Sequence, residues 1–519
     1  MLFADPSVAA YAALSLLTIL AIYVSPSLTT LAKSGTSSQN QLLHKATTSP
    51  LRHVPGPFYT LLTHLPLKYH VLAGQRMYFV HALHARYGPV VRISPTEVAI
   101  SSPDGFAAIH RVGGAFLKSS WYAQSTKPPD AGPRHETSLF AMVDPKQHAQ
   151  RRKLLSRVFT KHSLRRDWEP AVREKVILAV DRIRDEAKGG GSCDVIRWWT
   201  MMATDVISHL AFGESFGMLA RGEKNDYVRA VELTAAQNTL RYELPMLNRL
   251  MSWLPEFLKP PQGPDAQLVL REYGRRAVAG LRSKSDADGA ETKTNLFKGV
   301  LDAAETGEKE WLTEAVVEAD AKSMIFAGSE TTAVTLTYIV WAVLKRPELR
   351  AQLEEEVGGL DQNFDDAKLE GLPLLNAVID ETMRLYAAVP GQLQRVVPPG
   401  GATLGGYLIP GGTIVETQAY TLHRDPEVWL DPLRFDESRF LDAQRLTPRQ
   451  KLLFSPWGAG SRICLGIELA KMELRLAVAE LLRRCKGLRL APETTDAAME
   501  MENYFVMCPV GHKCEVTLP

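Results

Sequence analysis

The chain has little cysteine, little net charge and only one notable uncharged apolar run. Its 519 residues include five cysteines, Cys193, Cys464, Cys485, Cys508 and Cys514. An odd, scattered set argues against a disulfide framework and for a reducing compartment. Against 60 Lys+Arg stand 58 Asp+Glu, a formal net charge of +2. That balance gives no global argument for nucleic acid. No internal repeat is present, which removes repeat architectures. Composition is even after residue 52, and 45% of the chain is hydrophobic, ample for one large core.

The apolar run lies at the N-terminus. Residues Val8 to Val24 carry no charge. This is at the short end of what spans a bilayer. No basic residue precedes the run, whereas Lys33, Lys45 and Arg52 follow it. The bulk of the protein is therefore expected on the cytosolic side. The missing basic n-region argues against a cleaved signal peptide. We expect a transmembrane anchor over residues 1–32, a polar linker and proline-rich hinge over 33–57, and one catalytic domain over 58–519. Lacking an Arg-rich leader, the chain has the endoplasmic reticulum membrane as its expected address.

What is present is a distinctive thiol loop. Phe454-Ser-Pro-Trp457-Gly458-Ala-Gly460-Ser-Arg462-Ile-Cys464-Leu-Gly466 leads into a strongly helical segment. A helix start favours thiolate over thiol. A thiolate held this way can be the axial ligand of a haem iron. Gly458, Gly460 and Gly466 would let the backbone pass close under a flat macrocycle. Arg462 can reach a haem propionate. A buried structural thiol would equally account for one cysteine, so the rest of the chain must decide.

The loop resembles the haem-binding loop of the cytochromes P-450, written F-x-x-G-x-R-x-C-x-G. Gly460, Arg462, Cys464 and Gly466 fall on the pattern, and Trp457 stands where the family usually has Phe. An indole there still packs and can offer its N–H to the sulfur. The resemblance implies a mainly α fold with a small β-region. The periodicity agrees: helical patterns fall at about 146–161, 165–188, 194–211, 226–242, 265–283, 311–345, 347–358 and 371–387. A hairpin is expected within 86–100, with short strands around 394–418 and 502–518.

Midway along the helix expected from Trp311 to Arg346 lies Ala327-Gly-Ser-Glu330-Thr331-Thr332. Glycine and consecutive β-branched residues weaken a helix. An opened centre would admit O2 and water beside Thr331 and Glu330, an alcohol and an acid suited to proton relay. This run resembles the family's A-G-x-[DE]-T-[TS] motif; tight packing of a Ser/Thr-rich helix is the plain alternative. Glu381 and Arg384 share a helix face at i, i+3. The resemblance links them with Arg439 in a buried bracing network. It also places His148, Arg152 and Arg395 near a propionate, and His423 more weakly. In the family Trp usually occupies the position of His148.

Lys153, Arg157, Lys161, Lys471, Arg475, Arg483 and Arg484 read as a docking face for an acidic flavin reductase, with solvated faces the plain alternative. Cys508-Pro-Val-Gly-His512-Lys-Cys514 faintly suggests a metal cluster but lacks a second cysteine pair, so an ordinary strand and turn is expected. Residues 245–258 are apolar and interrupted by prolines, which suits either a membrane-dipping segment or core. The resemblance further lines a substrate pocket with Phe116–Tyr122, Met324–Ala327, Ala388–Gln392 and Tyr504–Phe505. Their apolar character suggests a lipophilic small molecule. The functional expectation is an NADPH- and O2-dependent haem-thiolate monooxygenase of fungal secondary metabolism (terpenoid, polyketide or alkaloid). It would be monomeric and served by an NADPH-cytochrome reductase. A haem-thiolate isomerase or dehydratase of peroxides, and a non-enzymatic haem sensor, are the alternatives.

Overall fold

The computed structural model describes residues 46–125, 137–230 and 312–519 apart from residue 443, with isolated residues at 44, 243, 244, 269, 272, 273 and 275. The expected anchor, most of the linker, residues 245–258 and nearly all of the helices expected at 226–242 and 265–283 lie outside these. No helix among the described residues is long and apolar enough to cross a membrane.

Helices dominate: α1 Arg76–Tyr87, α2 Pro103–His110, α3 Pro145–Ser156, α4 Glu169–Ala187, α5 Val195–Phe212, α6 Glu314–Leu344, α7 Pro347–Gly358, α8 Pro373–Leu385 and α9 Ile467–Arg484. Their ends follow local chemistry. Asp144 caps α3 by accepting from Gln147 N at 2.8 Å, with Pro145 at the first turn. Asp194 caps α5, which Gly213 ends in the left-handed region at φ 74. Thr313 caps α6, and Pro347 opens the next helix after the break.

The main sheet holds β1 Val90–Ser94, β2 Glu97–Ile100, β3 Leu117–Lys118, β4 Arg395–Val396 and β5 Ile414–Glu416, in the order β1-β2-β5-β4-β3. Only β2 and β5 run parallel in it. A separate hairpin pairs β6 Met501–Asn503 with β7 Met507–Pro509. The proline segment at 54–57 is packed rather than solvated. Leu51 and Val54 are buried, and Arg92 donates to their carbonyls at 2.8 and 2.7 Å. A side chain at Gly56 would meet Arg92 O at 2.6 Å.

The core centres on α4, α5, α6 and α9. Gly328 lets α6 pack closely on α5, because a Cβ there would stand 3.0 Å from Ile207. The expected opening of the α6 centre is not present: the helix runs unbroken across 314–344. Its hydroxyls bond along it, Ser329 to Ile325 O at 2.7 Å and Thr331 to Ala327 O at 2.8 Å. Glycine here serves helix contact, and the hydroxyls satisfy themselves on the preceding turn.

Candidate active site

The thiol loop is a short folded unit ahead of α9. Cys464 N–H donates to Trp457 O at 2.9 Å, closing the loop on itself. Gly458 and Gly460 take φ 74 and 67, conformations that favour glycine. At Gly460 a Cβ would lie 2.0 Å from His110 O, so this glycine lets the loop close onto the end of α2. Gly466 caps α9 and sets its N–H near the sulfur. Trp457 packs against the core and contributes its carbonyl; no hydrogen bond from its indole to the sulfur occurs among the described residues. Cys464 keeps accessible surface, yet protein crowds it enough that burial raises the thiol, offset partly by Gly466 N–H and Arg152. The helix start alone does not make the thiolate; a bound metal cation would supply the missing stabilisation.

Around the loop gather five basic side chains. Lys118, His148 and Arg395 are buried, and Arg152 and Arg462 are partly so. Arg462 reaches Met142 O at 2.8 Å and Val143 O at 3.0 Å. Arg395 reaches Gln394 O at 2.8 Å. Lys118, expected only as part of the pocket segment Phe116–Tyr122 and not as a cation of this group, donates to Phe140 O at 2.6 Å and lies 4.1 Å from the Tyr122 ring centre. These groups depress one another. Burial, then Arg462, Lys118, Arg152 and Arg395, push His148 down to about 3. Burial, then Arg395 and Arg152, push Arg462 down to about 10. Buried like charges of this kind need an anion. The two carboxylates of haem would meet that need beside a cysteine ligand, so the donor set fits the cofactor.

Helix α6 joins this unit from the other side. Thr332 lies beside the buried Glu473 of α9, a residue the sequence reading missed. That contact ties the helix bearing Glu330 and Thr331 to the helix that follows Cys464. Arg151, rather than Arg152, anchors α3 to α6: it pairs with buried Asp320 and donates to Val316 O at 2.8 Å. Beyond, Trp121, Phe140 and Phe505 form an aromatic wall, with Phe505 centred 5.9 Å from Trp121 and 5.6 Å from Phe140. Met507 N–H donates to Ala388 O at 2.8 Å, which brings a third expected pocket segment alongside. Tyr504 turns instead toward Gly74.

Glu381, Arg384 and Arg439 lie together, Arg384 in direct contact and Arg439 at the edge. Glu381 accepts from Arg384 Nε at 2.7 Å and Nη2 at 2.8 Å, and from Asp436 N at 2.8 Å. Arg439 Nε lies 3.6 Å from the same carboxylate. His423 is no propionate ligand. Fully buried, its Nδ1 donates to Arg384 O at 3.0 Å, and its Nε2 accepts from Ser455 N at 2.9 Å. It therefore ties the network to the start of the thiol loop. The docking face also shrinks. Arg475 is buried against Asp366 at 2.7 Å, Arg483 serves Val357 O and Leu360 O at 3.0 Å, and Arg484 pairs with Glu480 at 2.7 Å. Lys153 and Arg157 stay exposed.

A family model described as Cytochrome P450 matches residues 54–516. A protein named Cytochrome P450 monooxygenase stcB, from Emericella nidulans, is 39% identical over 96% of this chain and 94% of its own length. Cytochrome P450 monooxygenase cypX of Dothistroma septosporum is 40% identical over 91% of each. Cytochrome P450 monooxygenase aflV of Aspergillus parasiticus is 40% identical over 92% of this chain and 93% of its own. With a cysteine loop, a ring of buried cations and a match over nearly the whole length, the chain belongs to the cytochrome P450 family, whose cofactor is haem held by a cysteine thiolate.

Proposed function

We propose that the chain is a monooxygenase that inserts one O2-derived oxygen atom into a lipophilic small molecule of fungal secondary metabolism. The observation that carries this reading is the Cys464 loop set among Lys118, Arg152, Arg395 and Arg462, with the Glu330-Thr331 helix packed on the helix that follows Cys464. The names of the relatives support the same reaction class.

Haem, when bound, supplies O2 activation and oxygen transfer. The chain's own groups do the rest. Cys464 would hold the iron as thiolate, with Gly466 N–H and Arg152 steadying its charge. His148, Arg152, Arg395, Arg462 and Lys118 would seat the cofactor's carboxylates. Thr331 already donates its proton to Ala327 O, which leaves oxygen lone pairs to accept from water or a reacting hydroxyl. Glu330, one residue away, is the acid that replenishes protons. Trp121, Phe140 and Phe505 give the substrate an aromatic wall and exclude water.

Electrons come from NADPH through an external flavin reductase, which meets the face bearing Lys153 and Arg157. Residues 1–32 anchor the chain in the endoplasmic reticulum membrane, with the catalytic domain cytosolic and monomeric. The test is a reduced carbon-monoxide difference spectrum followed by NADPH consumption with reductase. A thiolate-type Soret band with substrate-dependent NADPH use is expected, and Cys464→Ser should lose both. A thiolate band with peroxide rearrangement and no NADPH use would instead favour an isomerase.

A further inference from the structure

The C-terminal cysteine–histidine run has no part in the oxygenase site, and the structure rebuilds it. Cys514 leaves the group: it is fully buried, with its N–H on Asp194 Oδ1 at 3.0 Å. Glu502 enters it. Glu502 and Cys508 are direct partners across the β6–β7 hairpin, so their side chains share one face. His512, three residues past β7, takes a left-handed backbone at φ 52. Its ring stands against the same pair. Cys508 Sγ lies 3.4 Å from Glu502 Oε1 and 4.0 Å from His512 Nδ1, and His512 Nε2 lies 3.2 Å from Glu502 Oε1.

One sulfur, one imidazole nitrogen and one carboxylate oxygen lie within 4.8 Å of one another. A tetrahedral zinc with bonds of about 2.0–2.3 Å sets its donors ~3.3–3.6 Å apart. The Cys508–Glu502 separation already matches such an edge; His512 meets Cys508 through Nδ1 and Glu502 through Nε2, so a turn of its ring is needed to bring one nitrogen to both. We propose that Glu502, Cys508 and His512 form a zinc site, with water as the fourth ligand.

Sulfur and nitrogen donors select zinc over magnesium or calcium. Lys513 does not compete for Glu502, because it pairs with Glu515 at 2.7 Å. His512 is 48% exposed, which leaves a solvent side for the water ligand. Burial and the Glu502 carboxylate hold Cys508 as a thiol, so binding releases its proton to solvent. Phe505 lies midway between Glu502 and Cys508 in the chain. Zinc would thus fasten the base of the hairpin whose tip completes the aromatic wall.

The test uses the full haem-loaded chain, stripped with chelator and dialysed against buffered micromolar Zn2+. Metal analysis should give one zinc per iron. Cys508→Ser and His512→Ala should each weaken retention about tenfold or more, and Lys513→Ala should leave it unchanged. In the native chain, zinc should slow iodoacetamide modification of Cys508 at least tenfold, read by peptide mass spectrometry. No bound zinc in the native chain would overturn the proposal. So would retention unaltered in the Cys508→Ser/His512→Ala double variant, or a Cys508 modification rate indifferent to zinc.

Discussion

The arginines around Glu381 and the cations around Arg462 are both drawn into the protein, and they differ in who supplies the negative charge. In the first group the chain does so itself. Glu381 takes Arg384 in a two-point contact, and the remaining Arg384 N–H groups find His423 O at 2.6 Å, Pro432 O at 2.8 Å and Arg434 O at 3.1 Å. In the second group no carboxylate is in contact among the described residues, and Asp144 acts on Arg462 only at a distance. Arg462 and Arg395 reach backbone carbonyls, Arg395 lies beside the Tyr122 phenol, and Lys118 is pushed well down by burial and by its two arginine neighbours. A compensated buried charge is part of the fold; an uncompensated one is a binding site.

The sharpest way to break this comparison is Glu381→Ala. It strands Arg384, which is completely buried, beside Arg439. Removing one partner of a buried pair costs about 3–5 kcal/mol. Thermal unfolding should drop steeply, with haem content falling alongside. A variant with native melting and full haem would show that the carboxylate braces nothing.

Arg152→Gln should behave in the opposite way. The haem-free chain loses a like-charge neighbour of Arg462 and should melt no lower than native. The haem-loaded chain loses a charge-assisted partner worth about 1.5–3 kcal/mol, so haem should leave about ten- to a hundredfold faster. Equal destabilisation of both forms would make Arg152 an ordinary structural residue. Haem transfer to apomyoglobin measures the rate, and calorimetry the melting.

Much of both groups could be read in the sequence. The i, i+3 spacing of Glu381 and Arg384, the loop ending at Cys464 and the run through Thr331 are local patterns, and local patterns survive folding. Lys118 was invisible because its partners sit far along the chain: β3 meets β4 only through the sheet, which sets Lys118 opposite Arg395. Glu473 went unread and Arg475 misled for another reason. They lie on the part of α9, residues 472–482, that is buried on all sides, so charge there does not mark a solvated face. The α6 centre was misjudged because propensity is a weak term beside the packing of Gly328 on Ile207.

Acid separates the two groups further. Burial holds His148 and His423 down to about 3, against an ordinary 6.5. Each is neutral when folded and takes up a proton more readily when unfolded. Stability from both is therefore complete above pH ~6.5 and is lost as pH falls toward 3. Bound carboxylates lie next to His148 alone and raise its affinity for protons. The haem-loaded chain should thus lose stability less steeply between those values, with the His423 share intact. Melting temperature against pH for native, His148→Asn and His423→Asn, with and without haem, separates them. An acid slope unchanged by haem would mean that no anion reaches His148.

Arg439→Gln is the smallest step and probes the edge of the compensated group. Its Nε is 3.6 Å from Glu381 Oε1 and makes no hydrogen bond, although Nη2 reaches Asp431 O at 3.2 Å. Arg384 already holds both oxygens of that carboxylate. The loss should be about 1 kcal/mol, the scale of one net hydrogen bond. It should also be nearly the same in a Glu381→Gln background, because the Asp431 contact survives there. A double-mutant cycle in urea measures this. Coupling well above 1 kcal/mol would place Arg439 inside the network as a full partner of Glu381, and the carboxylate would then be shared between two guanidinium groups rather than owned by Arg384.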